Sequence, residues 1–251
     1  MCKSRNCFIL FFAAAIVLGA VGIAAGAEEV ILDKDPNLAG WWKFDETAGR
    51  TAADSSKHGR KGTLTEELTF DDNSAAGRVG KALRFEGNNK CVEIKDYKGV
   101  CGTGPRTVTA WVKAKRDRGE IVLWGGDDFG QQFRFGYIRG RLGLTPGGGY
   151  YYMNPATHDD KWHHVALVVG EAELPNLHDD ITLYLDGEVA EVHDIGLLDL
   201  WPVETGKEMD VRIGRGFEGL IDDLRIYSRA LSENEVAAIY RLKSDKPLEK
   251  R

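Results

Sequence analysis

Short runs in which every second residue is apolar follow one another along most of the chain, and Gly, Asn and Asp separate them. This alternation is the pattern of β-strands that bury one face. After one run, Asp186-Gly187 predicts a two-residue hairpin, because glycine accepts the positive φ of a type I′ turn. The alternation predicts about eleven strands. They are Leu38–Asp45, Ala82–Glu86, Cys91–Ile94, Thr107–Lys113, Glu120–Trp124, Gln132–Ile138, Arg141–Thr145, Trp162–Val169, Ile181–Asp186, Met209–Ile213 and Leu220–Tyr227.

One short helix is predicted near the C-terminus. Ser232 and Glu235 form a capping box ahead of Val236, which opens an apolar pattern of helical period. Many strands with one short helix predict an all-β fold, a two-sheet antiparallel β-sandwich. We expect a single domain over residues 28–243 and a flexible C-terminal tail over 244–251, which is rich in Lys, Glu and Pro.

Residues 1–27 have the pattern of a signal peptide. Lys3 and Arg5 precede an apolar run, and Ala25-Gly26-Ala27 provides small residues for cleavage. The alternative is an uncleaved anchor, because the apolar run from Phe8 to Ala25 is nearly long enough to span a membrane. With cleavage, we expect a secreted, periplasmic or cell-surface protein without a membrane span.

The charge of the chain restricts its partners. The formal net charge is -6, and removal of Lys3 and Arg5 with the signal would make it more negative. An acidic chain without a basic stripe argues against nucleic acid and anionic membranes as partners.

Two of the four cysteines, Cys91 and Cys101, follow the predicted signal peptide. They flank a short loop, and an exported protein meets oxidising conditions, so the pattern predicts a disulfide between them. The alternative is two free thiols.

Five segments, in this order, resemble the laminin-G-like jelly-roll domains of the concanavalin A-like lectin/glucanase superfamily. Together they cover most of the chain, and the resemblance implies a jelly-roll sandwich. The same fold serves lectins, adhesion modules and hydrolases, so it does not settle the function. The segments are Leu38–Gly62, Gly77–Gly87, Arg106–Ala114, Lys161–Val169 leading into Leu183–Glu188, and Arg212–Val236.

The resemblance implies a structural Ca²⁺ site with Asp45 and Asp222 as ligands, since domains of this family often hold such an ion. Alternation places Asp222 on the same face as Leu224 and Ile226, the expected core side. A buried carboxylate is costly unless it is paired, hydrogen-bonded or bound to a metal. The alternative is that Asp222 accepts backbone N–H bonds and binds no metal.

No catalytic signature stands out in the sequence. Glycoside hydrolases need two carboxylates about the scissile bond, and the Glu-x-Asp-x-x-Glu run of the superfamily's glucanases does not occur here. Alternation turns Asp222 and Asp223 to opposite faces of their strand. We therefore expect no enzyme. The alternative is a glycoside hydrolase or lyase with its carboxylates on separate strands.

Aromatic and polar residues of the loops are the candidate ligand site. Aromatic rings stack on sugar rings, and loops on a rigid scaffold are where such sites arise. The sequence therefore predicts a non-catalytic module that binds a glycan or, alternatively, an extracellular or envelope protein. The candidates are Trp124, Asp128, Gln132, Tyr150, Tyr151, Tyr152 and Trp201.

Overall fold

The computed structural model describes residues 31–193 and 201–244. The predicted signal peptide and all but the first residue of the predicted tail lie outside this range. Neither described helix is long and apolar enough to cross a membrane.

The described residues form strands and two helices. In chain order the strands are β1 (Leu38–Trp42), β2 (Thr51–Ala52), β3 (Gly62–Leu64), β4 (Ser74–Ala76), β5 (Lys81–Glu86), β6 (Val92–Ile94), β7 (Arg106–Ala114), β8 (Glu120–Gly125), β9 (Gln132–Ile138), β10 (Arg141–Thr145), β11 (Tyr151–Met153), β12 (His163–Val169), β13 (Ile181–Leu185), β14 (Glu188–Val189), β15 (Val192–His193), β16 (Met209–Ile213) and β17 (Glu218–Tyr227). The helices are α1 (Phe70–Asn73) and α2 (Glu233–Ser244).

The strands form two antiparallel sheets. The first has the order β14-β13-β12-β7-β17-β5-β4, and β1 also pairs with β17. The second has the order β15-β11-β10-β9-β8-β16-β6-β3-β2. The all-β sandwich is thus confirmed, and every predicted run contains a strand. The additional strands have two or three residues each, too short for alternation to reveal them.

The interior core lies between the two sheets. Its largest members are fully buried rings, and Trp124 stacks on Phe133 with ring centroids 4.0 Å apart. Arg106 is also buried, where it donates to the carbonyl oxygens of Val100, Gly102 and Val203. This side chain joins the loop before β7 to the loop before β16.

Helix α2 covers the outer face of the first sheet. Val236 and Ile239 pack there with Trp41 and Tyr184 in a second apolar cluster. The predicted capping box is present, because Ser232 N donates to the Glu235 carboxylate at 2.8 Å and Glu235 N donates to Ser232 Oγ at 3.4 Å.

A β-bulge interrupts strand β17. Asp222 lies opposite Trp111 and Arg225 lies opposite Thr109. An advance of three residues along β17 therefore corresponds to an advance of only two residues along β7. Asp223, inside the bulge, has a φ of 51°. The extra residue shifts the alternation of side chains by one position.

The bulge corrects two predictions about Asp222. Leu224 and Ile226 lie in the interior core as expected. Asp222, however, faces the same way as its partner Trp111, which packs against α2 on the outer face. Asp223 also points outward and accepts from Trp41 Nε1 at 2.6 Å. The two carboxylates therefore share one face of the sheet.

The predicted disulfide is not formed. Both cysteines are free; Cys91 is buried and Cys101 is exposed. Cys91 Sγ lies 3.7 Å from Thr65 Oγ1, whereas Cys101 Sγ donates to Lys98 O at 3.3 Å. Each thiol thus has its own local partner, which proximity in sequence could not reveal.

The predicted hairpin between β13 and β14 is confirmed. Asp186 and Gly187 have φ values of 52° and 85°, the positive values that a type I′ turn requires at both positions.

Candidate functional site

Two exposed aromatic rings stack on each other at one end of the sandwich. Phe129 is 65% exposed and Trp201 is 43% exposed. Their ring centroids are 5.6 Å apart and their planes differ by 17°. Large rings that remain open to solvent are informative, because most apolar rings of this protein are buried. We call Phe129 and Trp201 the aromatic pair.

Glycine-rich loops hold the aromatic pair in place. Gly148 has a φ of 86°, and a Cβ there would lie 2.5 Å from Phe129 Cδ1 and 3.0 Å from Trp201 Cδ1. A larger residue would therefore displace the rings. Gly130 N donates to Gly147 O at 2.9 Å, which ties the Phe129 loop to the glycine loop.

A shallow depression of about 480 Å³ lies close to the aromatic pair along both of its loops. Glu204 N donates to Gly130 O at 3.0 Å, so the depression begins next to the residue that follows Phe129. We call it the rim depression. Its lining residues are Cys101, Gly102, Gln131, Glu204, Thr205, Gly206, Lys207 and Glu208.

Three predicted residues belong to this region. Asp128 is exposed on the loop that carries Phe129, and Gln132, the first residue of β9 after this loop, is half-buried. Phe129 itself was missed, although a phenylalanine between Asp128 and Gly130 in a polar loop was a signal for an exposed ring. Its partner Trp201 follows far along the chain, and only the fold brings the two together.

The predicted tyrosines form a separate strip. Tyr150 and Tyr152 stack with centroids 5.5 Å apart, and the Arg139 guanidinium lies 4.5 Å from the Tyr150 ring centroid. Tyr152 is only 6% exposed. Tyr151 packs against the interior core. Of the three, Tyr150 has the most suitable position for a ligand contact.

Trp124 was predicted to contact ligand, and this prediction is wrong. Its side chain is 0% exposed, and its Nε1 donates to Val100 O at 3.1 Å. One face of strand β8 points to the core and the other points outward, and the sequence did not show on which face Trp124 lies.

The two predicted metal ligands meet at one turn, Gly77–Lys81. Asp222 Oδ2 accepts from Val79 N at 2.8 Å, and Asp45 Oδ1 accepts from Lys81 N at 2.8 Å. Asp222 is fully buried, and its Oδ1 has no hydrogen-bond partner among the described residues. Burial raises the pKa of the Asp222 carboxyl well above its ordinary value; the Val79 amide opposes the shift, and the charges of Asp223 and Asp45 add to it.

The turn offers oxygen donors of the type that Ca²⁺ takes. Asp222 Oδ1 is an unpartnered buried oxygen, and Asp45 brings a second carboxylate to the same turn. In the described part of the chain, no three His, Cys, Asp or Glu side chains gather as a metal-binding group. Backbone carbonyls and water would have to complete the coordination.

A histidine joins two carboxylates at the start of strand β12. His163 Nδ1 lies 2.9 Å from Asp186 Oδ2, and its Nε2 lies 3.1 Å from Asp159 Oδ1. The hydrogen bond with Asp186 is the largest cause that raises the pKa of His163. Burial lowers the pKa of the neighbouring His164 to about 4, so this ring is neutral at pH 7.

The protein is an antiparallel β-sandwich with an exposed aromatic pair at one end. Residues 86–237 match the family model of the concanavalin A-like lectin/glucanases superfamily. This match covers more than half of the chain, and the chain belongs to this family, as its sequence predicted. No curated protein matches the chain in sequence.

Solved structures with this fold have low sequence identity to the chain. Domain 4 of AbnA, a GH43 extracellular arabinanase from Geobacillus stearothermophilus in complex with arabinotriose, has a TM-score of 0.57 at 21% identity, over 81% of this chain and 98% of that chain. The binding domain of Paraclostridial Mosquitocidal Protein 1 has a TM-score of 0.51 at 16% identity, over 79% and 52%. A Trypanosoma rangeli sialidase mutant that displays trans-sialidase activity has a TM-score of 0.52 at 16% identity, over 81% and 32%. At these identities the likeness shows the fold alone.

Proposed function

We propose that this protein is an exported, non-catalytic carbohydrate-binding module that uses the aromatic pair. The observation that carries the proposal is the stacking of two exposed rings, Phe129 and Trp201, beside a polar depression. The C–H faces of a sugar would stack on the rings, and its hydroxyls would bond to the amide and carboxylate groups of Gln131 and Glu204. Domain 4 of AbnA, whose structure contains arabinotriose, has a similar fold, which supports a glycan as ligand.

The non-catalytic assignment is supported by the position of the most perturbed carboxyl group. Asp222 has the raised pKa expected of a general acid, but it is 0% exposed and has no access to a substrate. Glu120, another inaccessible carboxylate at 7% exposure, is held in a bidentate contact by Arg215 at 3.0 and 3.1 Å.

Binding to a glycan array tests the proposal. The wild type should bind a subset of glycans, and Trp201→Ala should weaken binding by about tenfold or more, because stacking and ring burial are lost. Val189→Ala is a matched control. Val189 is 53% exposed on β14 of the first sheet, whereas Phe129 lies between β8 and β9 of the second sheet, so this substitution should leave binding unchanged. Uniform absence of binding for the wild type would reject the proposal.

A structural Ca²⁺ at the Gly77–Lys81 turn is part of the same proposal. Asp45 and Asp222 would hold the ion, which would supply positive charge between two carboxylates and stabilise the contact of the first and last strands. The turn lies apart from the residues of the aromatic pair. Removal of the ion with EDTA should therefore lower the melting temperature without abolishing glycan binding by the folded protein.

A further inference from the structure

The charge around the aromatic pair is strongly one-sided. The segments 126–131 and 201–208, which carry the pair and most of the rim depression, contain four carboxylates and a single lysine, Lys207. Lys98 also contacts Glu208 O, but its charge is paired with Asp210 at 2.8 Å. The segment 171–180 adds four carboxylates and neither Lys nor Arg. Val203 N donates to Pro175 O at 2.7 Å, so this third segment lies alongside the second. The carboxylates are Asp127, Asp128, Glu171, Glu173, Asp179, Asp180, Glu204 and Glu208.

Two carboxylates that are close to the rings along the chain are open to solvent. Asp128 adjoins Phe129 directly, and Glu204 follows Trp201 by three residues. Both are exposed, and neither forms an ion pair with another described residue. Their negative charge is therefore available to a ligand at the rings.

Exposed rings flanked by unpaired carboxylates are a favourable environment for an ammonium group. The face of an aromatic ring attracts a cation, and carboxylates of one sign raise the local concentration of positively charged ligands while they repel negatively charged ones. Given glycan binding at the aromatic pair, on which this step rests, we infer that the ligand is an amino sugar with a free, protonated amine. Its ring would stack on Phe129 or Trp201, and its ammonium group would face Asp128 or Glu204.

Calorimetric titration with two matched ligands tests this inference. Glucosamine oligomers carry the amine, and N-acetylglucosamine oligomers of equal length lack its charge. We expect the acetylated oligomers to bind roughly fivefold more weakly at low salt, because one exposed ion pair and the attraction of the ammonium group to the acidic surface are lost. In about 1 M NaCl the difference should largely vanish, since the screening length falls to about 3 Å.

Charge variants identify the residues responsible. Asp128→Asn and Glu204→Gln should each weaken the amine ligand alone, by about two- to fivefold. Lys207→Gln should strengthen it, since Lys207 is the lysine of the rim depression. Glu67→Gln is the control, because the Glu67 side chain is 93% exposed on the loop after β3 and should not affect binding.

The outcomes distinguish failure of the amino-sugar inference from failure of the proposed glycan binding. Equal affinity for both oligomers, with both lost in Trp201→Ala, would overturn the amino-sugar inference and leave the proposed glycan binding intact. Tighter binding of uronic acid oligomers would overturn it as well. Amine binding that Trp201→Ala leaves unchanged would show attraction to the acidic surface alone and would also overturn the inference. Absence of binding to every glycan would reject both proposals.

Discussion

Asp222→Asn changes the charge of one buried group and little else. The wild-type carboxyl is 0% exposed, its Oδ2 accepts from Val79 N at 2.8 Å, and its Oδ1 has no hydrogen-bond partner among the described residues. Because burial raises its pKa, the ionised form is the one that the fold disfavours. An asparagine keeps the shape and the acceptor oxygen and removes the charge.

The structure sets the sign and size of the effect. Each pKa unit by which the fold raises the pKa of this carboxyl costs the wild type about 1.4 kcal/mol once the pH exceeds the folded pKa, and the uncharged asparagine avoids this cost, so without metal at pH 7 we expect Asp222→Asn to be the more stable protein. For a domain of this size the melting temperature rises by about 2–4 °C per kcal/mol. A raised pKa means that the native state holds a proton which the unfolded state loses. Wild-type stability therefore falls as pH rises from about 4 through the folded pKa, and the variant lacks this decline.

Thermal and urea unfolding in EDTA, over a range of pH, measures both quantities. Repetition with saturating Ca²⁺ tests the ion: at a hundredfold excess over Kd the wild type should gain about 2.7 kcal/mol, and the variant much less. A variant that is less stable than the wild type in EDTA at pH 7 would refute the reasoning. An equal gain from Ca²⁺ in both proteins would exclude Asp222 as a ligand.

Asp223→Asn is the matched control on the same bulge. Asp223 accepts from Trp41 Nε1 at 2.6 Å, and its Oδ2 lies 3.4 Å from Arg225 Nε. Arg225 is fully buried and keeps a second carboxylate partner, Asp33, so loss of the Asp223 charge should destabilise the protein by about 1–3 kcal/mol. The two neighbouring substitutions should thus have opposite signs.

Three further predictions concern residues away from the bulge. Trp124→Ala should destabilise the protein by about 3–5 kcal/mol, because it leaves a cavity beside Phe133. Trp201 is exposed, so Trp201→Ala should change stability by about 0.5 kcal/mol or less. Comparable urea midpoints for the two variants would contradict the assignment of Trp124 to the core and Trp201 to the surface. His163 has a raised pKa, so its contribution to stability is fully present below about pH 6.5 and is lost as pH rises through the folded pKa, a decline that His163→Gln should lack in urea titrations. Identical pH profiles for both proteins would contradict the role of the Asp186 contact. Cys101 should react with iodoacetamide in the native protein and Cys91 only after unfolding, because Cys101 is exposed and Cys91 is buried. Resistance of both thiols to alkylation until a reductant is added would show that the disulfide forms.

Features that depend on neighbours along the chain could be predicted from the amino-acid pattern alone. Alternation of apolar residues predicted the strands of both sheets, because the side chains of a strand point to opposite faces in turn. Asp186-Gly187 predicted its hairpin through the φ values that the turn requires. Ser232 and Glu235 predicted the start of α2 through hydrogen bonds that span three residues. The family followed from five such local patterns in order.

The face that each residue occupies, and the distant residues that it meets, depend on how the two sheets pack. One extra residue in β17 turned Asp222 outward, although its own alternation pointed to the core. Trp124 and Trp201 have the same chemistry, but Trp124 is buried against Phe133 and the loop at Val100, whereas Trp201 is open beside Phe129. Neither result follows from local pattern, because the packing of the two sheets and the pairing of loops from distant parts of the chain form only in the folded protein.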